Sequence, residues 1–266
     1  MTRLGAIRYL NALPLVYGLE DEPAVTEVRY AVPSLLAEDL RSCHLDLALV
    51  PQVEATREPS YRIVPGLCIA CQGPAESILL FSTREWSRIR RVGVDLSSHT
   101  SVELLKVLFH LRGGPIPELV TLPPRLDPLR ESTLDAMLLI GDRALVEDHG
   151  EFPRFDLGAL WTEETQLPFV FAVWLGREGL SPEVVETVQR VAQQGLKRRN
   201  ALADDFCREH PEVLDQRGAR RYLNNTIRYT LGNAELESLL TFHQLRVASG
   251  SSVQENWKPQ FFEVAP

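Results

Sequence analysis

The sequence predicts an α/β fold of two lobes facing each other across a cleft. Three observations carry that expectation. Between residues 4 and 51 short apolar runs alternate with helically spaced stretches, the order strand, helix, strand, helix, strand of a parallel sheet. A second series of the same kind begins near residue 92, after the charged segment Thr83–Arg91. A long apolar run, Phe169–Leu175, then carries the chain back, and residues 181–250 read as mostly helical. Two connections between two similar lobes describe a clamshell.

Residues 4–10 read as a first strand ending at Asn11-Ala-Leu-Pro14, where Pro14 opens a short helix with Leu15, Val16 and Leu19 inward. Val25–Val32 is a second strand, and Pro33-Ser34 starts a helix carrying Leu35, Leu36 and Leu40. Leu45–Val50 is a continuous apolar strand stopped by Pro51. Ile63–Ala70 and Ser77–Ser82 are further strands separated by the turn Gln72-Gly-Pro74. Val92–Asp95 reads as a buried strand that feeds the hydroxyl run Ser97, Ser98, Thr100 and Ser101. Val102, Leu104, Leu105, Leu108 and Phe109 then recur at helical spacing, and Thr100 with Glu103 fits a capping box. Val120–Leu122 and Ala136–Ile140 are strands, the latter closing on Gly141-Asp142 before a helical turn at Arg143–Glu147. Ser181-Pro182 starts a helix, and later helices carry Phe206, Tyr222, Ile227 and Tyr229, then Leu236, Leu239, Leu240 and Phe242. This order assigns residues 1–83 and 175–266 to one lobe and residues 84–174 to an inserted second lobe.

The composition narrows the function. A chain of 266 residues with 44% hydrophobic and 24% charged content is a globular protein of one large or two modest domains. A formal charge of −8 without a basic stripe argues against a nucleic-acid partner, so an anion must be bound by local donors. The start, MTRLGAIRYLNALPL, lacks a basic segment followed by an apolar core, and no window approaches ~18 uninterrupted apolar residues. The expectation is a cytoplasmic protein with no membrane partner. Cys43, Cys68, Cys71 and Cys207 are the four cysteines; Cys68 and Cys71 form a lone C-x-x-C inside an apolar run, read as buried reduced thiols. The histidines are scattered without ligand spacing, so neither a metal nor another cofactor is expected.

In open α/β sheets ligands lie off the C-terminal ends of strands. Asn11, Pro51, Ser77, the 97–101 turn, Asp142 and the 161–169 loop all stand where they can line the cleft. The 97–101 turn joins a strand to a helix N-terminus. Free N–H groups, the positive dipole end and hydroxyl donors together make an anion site there, and without phosphate-loop glycines it suits a carboxylate. A β–α turn whose serines only cap the helix explains the same residues. Asn11, taken alone, is equally a turn residue ahead of Pro14, and Ser77 a solvent-facing strand serine.

Six segments share a pattern: YLNALPL (9–15), LDLALVP (45–51), PGLCIACQGPAESILLFS (65–82), VGVDLSSHTSVELLKVLF (92–109), LLIGDRAL (138–145) and FDLGALWTEETQLPFVFAVW (155–174). In this order they resemble the chorismate dehydratases of the futalosine route to menaquinone. The resemblance spans nearly the whole chain and implies a type II periplasmic-binding-protein-like clamshell with a central cleft and closing C-terminal helices. It implies that Asn11 and Ser77 are catalytic. It implies substrate contacts from Tyr9, Pro51, Ser97, Ser98, Thr100, Ser101, Gly141, Asp142, Thr165 and Phe169. Two departures stand out: Gln166 replaces the usual glycine and Arg8 a common serine. A sister family, the 1,4-dihydroxy-6-naphthoate synthases, shares the fold, but its N-terminal motif is of a Ser-Pro-Cys-Pro-Asn-Asp type where this chain has YLNALP. A non-catalytic binding protein for a small carboxylate is the alternative from another class.

The implied reaction converts the dianion chorismate to 3-[(1-carboxyvinyl)oxy]benzoate and water. The proton is lost from the ring carbon bearing the ether, and negative charge spreads through the diene onto the ring carboxylate. Expulsion of the neighbouring hydroxyl makes the ring aromatic. Donors aimed at that carboxylate each contribute roughly 3 kcal/mol to lowering the barrier. No base stands out. His99 lies beside a helix N-terminus, which lowers proton affinity, and Asp95 or Asp142 would repel an anionic substrate. The enolpyruvyl carboxylate of the substrate is itself a candidate base.

Overall fold

The computed structural model describes residues 2–95, 99–123, 127–131, 133–146 and 152–263. Ser97 and Ser98 of the hydroxyl turn lie outside the described residues. In chain order the first part runs β1 (Arg3–Ala6), α1 (Leu13–Val16), β2 (Glu27–Tyr30), α2 (Pro33–Arg41), β3 (Leu47–Pro51), β4 (Tyr61–Ile63) and β5 (Gly66–Cys71). The middle part runs β6 (Ile78–Ser82), β7 (Arg91–Val94), α3 (His99–Leu111), β8 (Glu118–Thr121), α4 (Asp127–Arg130), β9 (Ala136–Ile140), α5 (Asp142–Val146), β10 (Arg154–Asp156) and α6 (Leu157–Thr165). The last part runs β11 (Phe169–Arg177), α7 (Pro182–Lys197), α8 (Arg199–Glu209), α9 (Gln216–Arg221), β12 (Ile227–Leu231) and α10 (Asn233–Ala248).

The strands form two sheets. One has the order β12-β5-β11-β3-β1-β2, with β4 beside β11; the other has the order β10-β6-β9-β7-β8. β1 pairs in parallel with β2 and β3, and β7 with β8 and β9, as the alternating strand–helix order requires. The remaining pairs are antiparallel, so both sheets are mixed rather than wholly parallel.

Strand pairing departs from the expected lobe boundaries. β6 joins the second sheet, pairing with β9 from Ile78↔Ile140 to Ser82↔Ala136, and β11 lies within the first sheet between β5 and β3. Residues 78–82 and 169–174 therefore sit on the opposite side of the expected divisions at 83 and 174. Both strands are apolar runs buried almost throughout, and such a run carries no period that tells one sheet from another. Ile227 and Tyr229, expected on a helix, lie on β12, where burial alternates residue by residue. The segment around Asp156 and Trp161, given no element from the sequence, is β10 followed by α6.

The chain crosses between sheets at residues 72–77 and 166–168. Thr162 on α6 ties the two crossings together, accepting from Gly73 N at 2.8 Å and bonding the Leu167 carbonyl at 3.3 Å. Trp161 Nε1 donates to Pro168 O at 3.1 Å. Gln166 takes the left-handed conformation, φ 62°, that a glycine would adopt at this helix end. The loop keeps its shape at a strain of about 1 kcal/mol. Arg8, the other departure, is exposed, with its guanidinium 4.0 Å from the Tyr30 ring centroid.

One apolar core surrounds the first sheet. A second fills the space between the other sheet, α3 and α6, and includes Val53, Cys71, Phe169 and Phe242 from the first lobe. Cys68 and Cys71 are buried free thiols whose pKa burial pushes up. α7 crosses α1 closely enough that a β-carbon on Gly195 would lie 2.1 Å from the Pro14 carbonyl oxygen. Gly195→Ala should therefore destabilise by about 1–3 kcal/mol, although alanine is the better helix former by ~1 kcal/mol. Urea denaturation reads this directly, and equal or greater stability in the variant would contradict the close crossing.

Candidate functional site

The cleft opens where strands of both sheets end. Tyr9, Asn11 and Pro51 face it from one lobe, and Ser101 and Gly141 from the other. Ile7, Ile69, Ile78, Ile140 and Phe171 supply apolar walls. The cavity itself is about 50 Å³, so the walls stand close together behind a mouth that opens to solvent.

Two contacts join the lobes at the strand ends. Asp142 accepts the Leu10 backbone N–H, with Oδ1 at 3.0 Å and Oδ2 at 3.4 Å. The Tyr9 ring lies over Gly141, whose φ of +61° and lack of a side chain allow the approach; a β-carbon would come 3.1 Å from Cδ2. Burial pushes the Tyr9 phenol up to about 12, and the nearby charges of Asp142 and Asp95 add to the rise. Burial also pushes Asp142 up to about 6, opposed by the Leu10 N–H and His210. The Asp142 carboxylate is thus committed to the opposite lobe's backbone rather than offered to a ligand. The Gly141 N–H is likewise spent, donating to Ser77 O at 2.8 Å.

Asn11 and Ser77, expected from the sequence to be catalytic, are joined by one buried phenol. Tyr222 Oη donates to Ser77 Oγ at 2.7 Å and receives Asn11 Nδ2 at 3.5 Å. Tyr229 Oη donates to the Asn11 carbonyl at 3.0 Å. Ser77 is 2% exposed and lies behind the wall made by Ile78 and Gly141, so Asn11 is the member of this string that reaches the cleft.

α3 begins at His99, and its first N–H groups have no partner within the helix. Ser101 lines the cleft. Thr100 Oγ is buried without a hydrogen-bond partner, a cost of about 1–3 kcal/mol. The expected capping box does not form, because Glu103 turns away to Lys106 (2.7 Å), Ser251 (2.7 Å) and Arg246 (3.0 Å). Burial favours protonation of Glu103, yet these bonds outweigh it and hold the carboxyl at about 2. His99 is not a solvated turn residue: its Nδ1 lies 2.6 Å from Glu54 Oε1. Glu54 is 1% exposed and also meets Arg41 and Arg57, each at 2.8 Å. Burial opposes its ionisation, but the His99 bond and the two arginines keep its pKa below the usual range.

Two expected contacts lie elsewhere. Thr165 Oγ donates to Trp161 O at 2.8 Å and accepts from Leu167 N at 3.2 Å, closing the end of α6. Phe169 is fully buried, packed edge-on against Trp161, Phe171 and Phe242. The specific segment 161–169 builds the crossing rather than the cleft. Conversely, Tyr222, Tyr229 and Glu54 were not singled out as site residues. The one signal for the two tyrosines was their type, since a buried tyrosine must find a partner for its hydroxyl.

A wider groove borders the same helix start, between α3 and α10, but its cations are already matched. Arg41 and Arg57 pair with Glu54, and Lys106 and Arg246 with Glu103. The cleft instead presents neutral polar side chains, those of Asn11 and Ser101 among them. Among the described residues no three His, Cys, Asp or Glu side chains gather to hold a metal ion, and no helix is long and apolar enough to cross a membrane.

The raised Asp142 pKa makes a pH prediction. The folded state holds this proton more tightly than the unfolded chain, whose value lies near 3.9. The carboxyl's contribution is complete below that value and is lost as pH rises through about 6. Asp142→Asn keeps an oxygen for the Leu10 N–H and removes the ionisation. Its stability relative to the parent should therefore grow between pH 4 and 7.5, by about 2–3 kcal/mol. Urea midpoints at the two pH values measure this, and a difference independent of pH would rule out a buried, raised carboxyl.

A family model for menaquinone biosynthesis matches residues 2–248. A chorismate dehydratase of Thermus thermophilus is 32% identical over 262 residues, covering 90% of this chain and 93% of its own length. A chorismate dehydratase of Campylobacter jejuni is 26% identical over 249 residues, with 90% and 94% covered. Among solved structures, a protein of Archaeoglobus fulgidus superposes with a TM-score of 0.75 at 16% identity, over 93% of this chain and 97% of that one. The periplasmic aliphatic sulphonate binding protein of Escherichia coli superposes with a TM-score of 0.64 at 14% identity, over 100% and 94%. These likenesses bear on fold alone, and agree with a two-lobed, periplasmic-binding-protein-like clamshell. With nearly its whole length matched, the chain belongs to the menaquinone biosynthesis family.

Proposed function

We propose that the chain is a chorismate dehydratase, a lyase of the cytoplasm acting at the first step of the futalosine route to menaquinone. The reading draws on the family and on relatives of that name aligned over nine-tenths of the chain. One observation of the cleft carries it further. Among the described residues that line the cleft, Tyr9 is the single titratable side chain, and it stays protonated up to about 12. Among the described residues, this lining offers hydrogen-bond donors and no protein base.

That set suits a substrate able to take its own proton. In this mechanism the C–H bond at the ether-bearing ring carbon breaks, and its proton passes to the enolpyruvyl carboxylate. The electron pair delocalises through the diene into the ring carboxylate, whose growing charge faces the α3 N-terminus and Ser101. The C–O bond to the neighbouring hydroxyl then breaks as the aromatic ring forms. Asn11 donates to the departing oxygen, which leaves as water with the proton returned from the carboxylate. Donors that strengthen only as charge develops act on kcat rather than on ground-state binding.

Ultraviolet spectroscopy of the protein with chorismate tests the reading, because aromatisation changes the spectrum and binding does not consume the diene. Turnover is expected without added metal or nucleotide. Asn11→Ala should lower kcat on the order of 100-fold with little change in KM, and Asn11→Asp should be worse because it adds repulsion. Circular dichroism confirms folding. Chorismate bound but unconsumed would make the chain a carboxylate-binding protein. Turnover of cyclic dehypoxanthine futalosine instead would make it the sister synthase.

A further inference from the structure

We infer that Tyr222 is a positioning residue for this reaction, and that the ion pair between Glu76 and Arg221 holds it in register with Asn11 and Ser77. The inference rests on the dehydratase reading above. A tyrosine hydroxyl has one proton to give. Burial keeps the Tyr222 phenol protonated, and the proton goes to Ser77 Oγ at 2.7 Å. Asn11 must then meet the same oxygen with an N–H rather than with Oδ1, which sets the direction of its amide. The Asn11 main chain is fixed separately by Tyr229. One Nδ2 hydrogen and Oδ1 remain for the cleft, the arrangement needed to donate to a departing hydroxide. Ser77, receiving at Oγ, has only a long contact at 3.4 Å, to the Ala75 carbonyl, for its own proton.

The phenol is held by an unusual piece of backbone. Tyr222–Thr226 forms a π-helical turn, and both its flanks grip Glu76. Arg221 donates through Nη1 and Nη2 to the two carboxylate oxygens at 2.5 Å each, and Thr226 Oγ donates to Oε1 at 2.7 Å. Glu76 itself has a φ of 61°, a strained value for a residue with a side chain. Two successive residue pairs, 76 with 221 and 77 with 222, thus lock together segments 145 positions apart. A two-pronged pair fixes angle as well as distance, which a single point charge does not.

Steady-state kinetics on chorismate tests this. Tyr222→Phe keeps the buried ring and should lower kcat about 10- to 100-fold with KM within about twofold. Arg221→Lys keeps the charge on a half-exposed side chain, loses the fork, and should lower kcat roughly 3- to 10-fold. A group acting through Asn11 has nothing to position once Asn11 is gone, so Tyr222→Phe in the Asn11→Ala background should cost less than about twofold more. A wild-type protein that leaves chorismate intact overturns the dehydratase reading and this inference with it. An active wild type with Tyr222→Phe at parental kcat overturns the inference alone. A Tyr222→Phe loss that is undiminished in the Asn11→Ala background makes Tyr222 act independently, and also overturns it.

Discussion

The half-buried carboxylate of Asp156 sets the geometry on which the site depends. It accepts the N–H groups of Ala75 (2.9 Å) and Glu76 (2.7 Å) on the first crossing, and those of Gly158 (2.9 Å) and Ala159 (3.0 Å) at the start of α6. Burial raises its pKa, against the pull of the four donors. As a helix cap alone such a group contributes about 1 kcal/mol. Here it also anchors a crossing in which Glu76 stands in the left-handed region. Ser77 follows directly, its carbonyl holds Gly141, and Gly141 receives the Tyr9 ring. The Ser77–Gly141 and Gly141–Tyr9 contacts thus follow in series from the crossing this carboxylate anchors.

An acidic chain binding an anion faces a conflict that the structure resolves locally. Around the start of α3, Glu54 and Glu103 consume the charge of three arginines and a lysine, and Glu54 also meets the His99 ring. These pairs join α3 to the turn after β3 and to α10, and breaking one member would strand the other in a poorly solvated place. What faces the cleft is then the helix terminus with neutral amide and hydroxyl groups. Preorganised dipoles of this kind stabilise charge as it moves during a reaction without binding every anion tightly beforehand.

Much of the architecture was legible because local chemistry writes it. Pro182 opens α7, the apolar run Ala136–Ile140 is β9 residue for residue, and Pro33 begins α2. Asn11, Pro51 and Ser101 line the cleft where strand ends place ligands, and Gly141, a contact the resemblance implied, lines it too. Thr165 and Phe169 were misplaced for a related reason. Their segment is distinctive, but its distinctiveness belongs to the crossing, where Trp161 and Thr162 hold the chain between lobes.

By itself the sequence determined the two-lobed α/β plan and the helix starts marked by Pro33 and Pro182, since periods of two and 3.6 and prolines act over a few residues. The tertiary structure alone decided which sheet takes β6 and β11, that Glu103 abandons the helix start for Arg246, and that Tyr222 joins Asn11 to Ser77. The last two outcomes rest on bonds between residues 143, 145 and 211 positions apart. Such bonds form only when packing brings the groups together, and a buried tyrosine reads the same in sequence whether its hydroxyl serves the core or a catalytic amide.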